Sequence, residues 1–156
     1  MRILVVFLDM IRPNRLPLFN PKMEQNPLSN SLKSLGGTFY TNCFTPAPDT
    51  PRGLACFATG LPPYLNGCDS RVKWPRYFLD KSKKTLFDLF LEKNYEMTFF
   101  SNPNERETGM FPEKIFNLSI HNMDYDLNKY LSEVELKEDH FVFVGLPDYH
   151  WSFDDH

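Results

Sequence analysis

The stretch "PDTPRGLACFATGLPP", residues 48 to 63, places a hydroxyl, a proline and an arginine directly before a short apolar run that ends at Thr59-Gly60. Two readings of Thr50 stand side by side. It suits the start of a helix, because Thr caps helices well and Pro is favoured at the first helical position. It is also a candidate nucleophile, provided that its hydroxyl can be deprotonated, which a neighbouring divalent metal achieves by coordinating the alkoxide. The acid best placed to hold such a metal is Asp9, which ends the apolar run "ILVVFLD" at residues 3 to 9.

That run predicts a central parallel strand buried on both faces, with Asp9 at its carboxyl end. Prolines at 13, 17, 21 and 27 make the following segment a long irregular loop. Apolar residues at 28, 32 and 35 before a Gly pair predict a short helix, and "TFYTNCF" at residues 38 to 44 reads as a strand. "RGLACFATG" predicts a helix ending at Gly60, and "SKKTLFDLFLEKN" a stronger one with Ser82 as N-cap. "YEMTFFSN" and "HFVFVGL" are further strands, and a short helix is expected near "LNKYLSEVEL". Strands alternating with helices imply an α/β fold with a mostly parallel sheet flanked by helices.

With 156 residues, 42% apolar and 15% aromatic, the chain can bury a real core. A net charge of −3 and a pI near 5.8 give no broad field for nucleic acid or an anionic membrane, so an anionic ligand needs local positive groups. No apolar run is long enough to span a bilayer, and the opening "ILVVFL" stops at Asp9 without a small-residue cleavage site. Cys43, Cys56 and Cys68 form neither an even set nor a close pair, so reduced thiols and a cytoplasmic location are expected. The ending "PDYHWSFDDH", directly after a strong strand, points to the N-terminal part of a longer protein.

Three features in order resemble the alkaline phosphatase superfamily, most closely its sulfatase and nucleotide phosphodiesterase branches. They are the strand ending at Asp9 with "RPNRL" after it, the segment "NPLSNSLKSLGGTFYTNCFTPAP", and "TGLPPYLNG". In those branches the nucleophile precedes the Thr of the Thr-Gly pair by nine positions, which selects Thr50. The resemblance implies that residues 1 to 156 are the N-terminal part of one sulfatase-like α/β catalytic domain. It implies a metal-dependent hydrolase or transferase in which Asp9 and Thr50 bind a divalent metal and Thr50 forms the covalent intermediate. Arg52, Asn102 and His150 would contact the substrate anion. Zinc or manganese is the expected metal, with calcium open. Thr50 at a helix start would also point backbone N–H groups at the reacting centre.

The departures narrow the expectation. Thr50 cannot become formylglycine, the residue that sulfatases make from Cys or Ser; Leu54 stands where their motif has Arg; Met10 replaces a second acid; and Asn102 replaces a Lys. Of these, Thr as nucleophile, the single acid and the absent Lys together favour phosphate esters over sulfate esters, as in the phosphodiesterase and phosphoethanolamine-transferase branches. Asp154, Asp155 and His156 read as a charged chain end rather than a metal pair. The expected partner is a small anionic ester, with no nucleic acid and no membrane insertion, and the oligomeric state is open. The rival expectation is a truncated or degenerate relative that binds without catalysing. Should "ILVVFLD" prove to be an edge strand or a helix, the family resemblance would fail at its root.

Overall fold

The computed structural model describes residues 1–69, 79–100, 119–121 and 138–146, the short strand at 119–121 by its backbone alone. Asn102, His150, Asp154, Asp155, His156 and the helix expected near "LNKYLSEVEL" lie outside the described residues. Strands β1 (Arg2–Leu8), β2 (Glu96–Phe100), β3 (Ser119–His121) and β4 (His140–Leu146) form one sheet in the order β1-β4-β2-β3. All three pairings are parallel, and β1 runs level with β4 from Arg2 opposite His140 to Leu8 opposite Leu146. The protein is therefore an α/β fold with a parallel sheet, and its helices flank that sheet.

Strand β4 carries the double-sided burial of a central strand. Phe141 and Phe143 join Leu54, Ala58, Phe87, Met97 and Phe99 in the core on one face. Val142 and Val144 pack with Phe100 and Leu146 on the other. Phe87 meets Phe99 and Phe141 edge to face, with ring centroids 5.4 and 5.9 Å away. Such pairs add to the benefit of area burial, so the aromatic excess of the sequence is concentrated where it stabilises most. At the amino end of the sheet, far from the carboxyl ends of the strands, buried His140 Nε2 lies 2.9 Å from Thr98 Oγ1.

The expectation that β1 is central and buried on both faces is not met. Among the described strands β1 lies at the edge. Ile3, Val5 and Phe7 pack against the core, while Leu4 and Val6 are exposed. A uniformly apolar run cannot reveal this, because hydrophobicity states what a strand should bury and not which strands stand beside it.

The helices are set by their caps. Helix α1 (Pro27–Ser34) starts at Asn26, whose side chain accepts the Ser29 N–H at 2.8 Å. Helix α2 (Thr50–Thr59) ends at Gly60, whose φ of 67° is a left-handed conformation that only glycine adopts cheaply. The one-turn helix α3 (Pro63–Asn66) follows. Helix α4 (Leu86–Glu92) is capped by Thr85 in a reciprocal box with Asp88, not by Ser82; Ser82 instead donates its N–H to Asp80 at 2.9 Å in the turn before. Thr85 wins because the acid three residues on accepts a hydrogen bond from its backbone N–H. Residues 38 to 44 form no strand: Phe39, Tyr40 and Phe44 are exposed and no described strand pairs with the segment. Its β-prone composition has no strand among the described residues with which to exchange hydrogen bonds.

Candidate functional site

At the carboxyl end of β1 the ladder continues for one residue, as the Asp9 N–H donates to the Leu146 carbonyl at 3.1 Å. Met10 then adopts φ 62°, turning the chain away and leaving the Asp9 side chain at the strand's tip. Helix α2 begins at the same place. Thr50 Oγ1 donates to Asp9, 3.1 Å from Oδ1 and 3.3 Å from Oδ2. Two residues 41 positions apart thus meet beyond the sheet's carboxyl edge, where ligands of parallel α/β sheets gather.

Thr50 is not the helix cap. That position belongs to Asp49, whose Oδ1 accepts the Arg52 N–H at 3.2 Å, while Thr50 is the first helical residue and Pro51 the second. The Thr50 hydroxyl is therefore spent on Asp9 and not on its own helix. Sequence reasoning passed over Asp49; an Asp directly before a Thr-Pro pair is the signal that finds it, since Asp is among the best N-caps and Pro suits the first turn.

The backbone donors expected at this helix start are mostly used. Pro51 has no N–H, Arg52 gives its own to Asp49, and Gly53 donates to the Asp49 carbonyl at 2.9 Å. At most the Thr50 N–H remains for a ligand. Arg52 is also committed: its Nε donates to Asp49 Oδ2 at 2.6 Å, its Nη2 pairs with the same oxygen, and its Nη1 donates to the Asp69 carbonyl at 3.2 Å. The hydrogen bond to Asp49 raises the guanidinium pKa further above its ordinary value. Arg52 is paired with Asp49, so the Asp9 carboxylate is the acidic group in direct contact with the Thr50 hydroxyl.

Those surroundings fit a cation better than a bare anion. Asp9 and Thr50 supply adjacent oxygen donors, the type that suits manganese, magnesium or calcium more than zinc. Two donors fall short of the roughly three protein ligands of a stable catalytic metal site. Among the described residues no group of three His, Cys, Asp or Glu side chains could complete one. The nearby thiols are poor substitutes: burial, chiefly, pushes Cys68 up to about 11 and raises Cys56, keeping both protonated at neutral pH. Along α2 lies an apolar groove of about 410 Å³, lined by Pro46, Gly53, Cys56, Phe57, Gly60, Leu61 and Pro62. Its helical members recur every three or four residues, a stripe that a search for polar chemistry does not register.

No family model matches the sequence, and no curated protein matches it. Comparison with solved structures finds the crystal structure of a "putative sulfatase" from Bacteroides thetaiotaomicron VPI-5482, with a TM-score of 0.70 at 16% sequence identity. The match covers 96% of this chain and 35% of that one, so the chain spans about a third of that protein's length. Among the described strands β1 stands at the edge, against the expectation on which the family resemblance rests, and the backbone agreement supports a sulfatase-like fold and nothing finer. The 156-residue chain has the fold of part of that sulfatase-like protein.

Proposed function

We propose that the chain carries the nucleophile-bearing part of a metal-dependent hydrolase or transferase acting on phosphoesters, or on sulfate esters, through a covalent intermediate on Thr50. The observation that carries this reading is the hydrogen bond from Thr50 Oγ1 to Asp9 at the carboxyl edge of a parallel sheet. Asp9 orients the hydroxyl and accepts its hydrogen. A carboxylate does not by itself deprotonate an alcohol, so the hydroxyl needs further activation. A divalent ion held by Asp9 and Thr50 would supply the missing activation, lowering the hydroxyl pKa and offsetting the negative charge around it.

Asp49 fixes the start of α2 and thereby the position of Thr50. Arg52 serves as a substrate contact only if its guanidinium leaves Asp49 and the Asp69 carbonyl, or if its remaining N–H groups reach the anion. Asn102 and His150 stay in the proposal as substrate contacts on the strength of the resemblance. The choice of phosphate over sulfate rests on Thr50, which cannot be converted to formylglycine, on Met10 in place of a second acid and on Asn102 in place of a Lys.

The test is to assay aryl phosphate, phosphodiester and sulfate esters side by side with a longer polypeptide that contains residues 1 to 156. Turnover with added Zn²⁺ or Mn²⁺ that disappears in Thr50→Ala supports the reading. Turnover untouched by Thr50→Ala removes Thr50 from the mechanism. A second reading, a non-catalytic binding domain on the same fold, draws on the commitment of Arg52 to Asp49. It predicts no turnover with any of the esters.

A further inference from the structure

Arg52 is held from two separate parts of the chain. Its Nε donates to Asp49 Oδ2 at 2.6 Å and its Nη2 pairs with that oxygen, while Asp49 Oδ1 accepts the Arg52 N–H at 3.2 Å. Both oxygens of the capping carboxylate, whose side chain is only 8% exposed, are thus oriented by one residue. On its other side Arg52 Nη1 donates to the Asp69 carbonyl at 3.2 Å, 17 positions along the chain. The segment that carries Asp69 is anchored in its turn. Buried Asn66 accepts the Cys68 N–H on Oδ1 at 2.9 Å and donates from Nδ2 to the Leu61 carbonyl at 3.1 Å, and its own carbonyl accepts the Asp80 N–H at 2.7 Å. Leu61 directly follows Gly60, the residue that ends α2. The path from Asp49 through Arg52, Asp69, Cys68 and Asn66 to Leu61 therefore runs from the first turn of α2 to its last and closes a ring with the helix itself. Thr50, the first residue of α2, lies at the point where Arg52 joins the two.

We infer that Arg52 is a positioning residue, which fixes the Thr50 hydroxyl against Asp9 by clamping the start of α2 to the turn after α3, and is not the contact for the substrate anion. The inference rests on the reading of Thr50 as the nucleophile. A guanidinium suits this task, because its planar fork directs donors at two acceptors in a fixed geometry, whereas an ammonium on a flexible stem is a point charge. The effect belongs to rate and not to affinity. A displacement of the reacting group by about 1 Å can cost about a hundredfold in rate, while an interaction that is absent from the bound ester leaves KM alone.

The test has two parts. On the 156-residue chain, amide hydrogen exchange followed by NMR should show Gly53, at the start of α2, and Cys68, in the turn after α3, exchanging at least about fivefold faster in Arg52→Ala, with circular dichroism unchanged. Arg52→Lys keeps the charge and should leave Cys68 as fast as in Arg52→Ala, because an ammonium paired with Asp49 does not also fork to the Asp69 carbonyl. In a longer polypeptide that contains residues 1 to 156 and turns over one of the esters, Arg52→Ala should lower kcat by about tenfold or more while KM changes by less than about twofold. Unchanged exchange at both amides would overturn the inference. So would a KM that rises about tenfold with kcat kept, since that result makes Arg52 an anion contact. Absence of turnover in the wild type would overturn the Thr50 reading instead, and the exchange measurement then decides the clamp by itself.

Discussion

Raising the pH should destabilise this protein, most strongly through one thiol. Cys68 packs with Ala55 and Leu79, its N–H bonded to Asn66 Oδ1 at 2.9 Å. Burial, followed by the nearby charges of Asp49 and Cys56, moves its pKa from the ordinary 9.0 to about 11 in the folded state. A folded pKa above the unfolded one means that the folded state holds its proton more tightly. The resulting stability is complete below pH 9 and is lost as pH rises towards and through 11. A shift of this size corresponds to roughly 3 kcal/mol in full, most of which would be gone by pH 11. Urea unfolding at a series of pH values from 8 upward measures it, with Cys68→Ala as the control that removes this titration and leaves the lysines and tyrosines in place. The wild-type curve should fall more steeply than the control by that amount. Parallel curves would show that the buried thiol is not what couples stability to alkaline pH.

Three further outcomes follow. Phe87→Ala, emptying the fully buried position between Phe99 and Phe141, should cost about 3–5 kcal/mol in chemical denaturation; a loss below about 1 kcal/mol would mean that the core is not organised around this ring. Asp49→Ala should destabilise by about 1 kcal/mol and Asp49→Asn by clearly less, since Asn keeps the cap while losing the ion pair to Arg52; equal losses would assign the effect to the ion pair. Residues 1 to 156 alone should show no appreciable turnover of aryl phosphate, phosphodiester or sulfate esters with Zn²⁺ or Mn²⁺, because the described ligands are too few to hold a metal firmly; robust turnover would mean that further ligands act, with Asp154, Asp155 and His156 the first to substitute.

The strands were the most legible part of the sequence. "ILVVFLD", "YEMTFFSN" and "HFVFVGL" are apolar and β-prone enough to form strands in almost any setting, and all three lie in the sheet. Strand order was not legible, because β1 and β4 read alike yet among the described strands only β4 of the two is enclosed by neighbours. Residues 38 to 44 show the same limit from the other side, with strand-like residues and no strand. Helix starts depended on reciprocal hydrogen bonds, so Thr85 with Asp88 outcompeted Ser82. The meeting of Asp9 and Thr50 follows from strand-end geometry once β1 and α2 are placed. The occupation of Arg52 by Asp49 does not, because it depends on which rotamer the guanidinium takes at the helix's first turn.

The central claim, that Asp9 and Thr50 form a cation-binding pair, is tested most directly by titrating the ¹⁵N-labelled chain with Mn²⁺ and following paramagnetic line broadening. The account predicts broadening centred on the backbone amides of residues 8 to 10 and 49 to 53, excluding Pro51, and its loss in Asp9→Asn. Broadening centred elsewhere, or unchanged in Asp9→Asn, would contradict it.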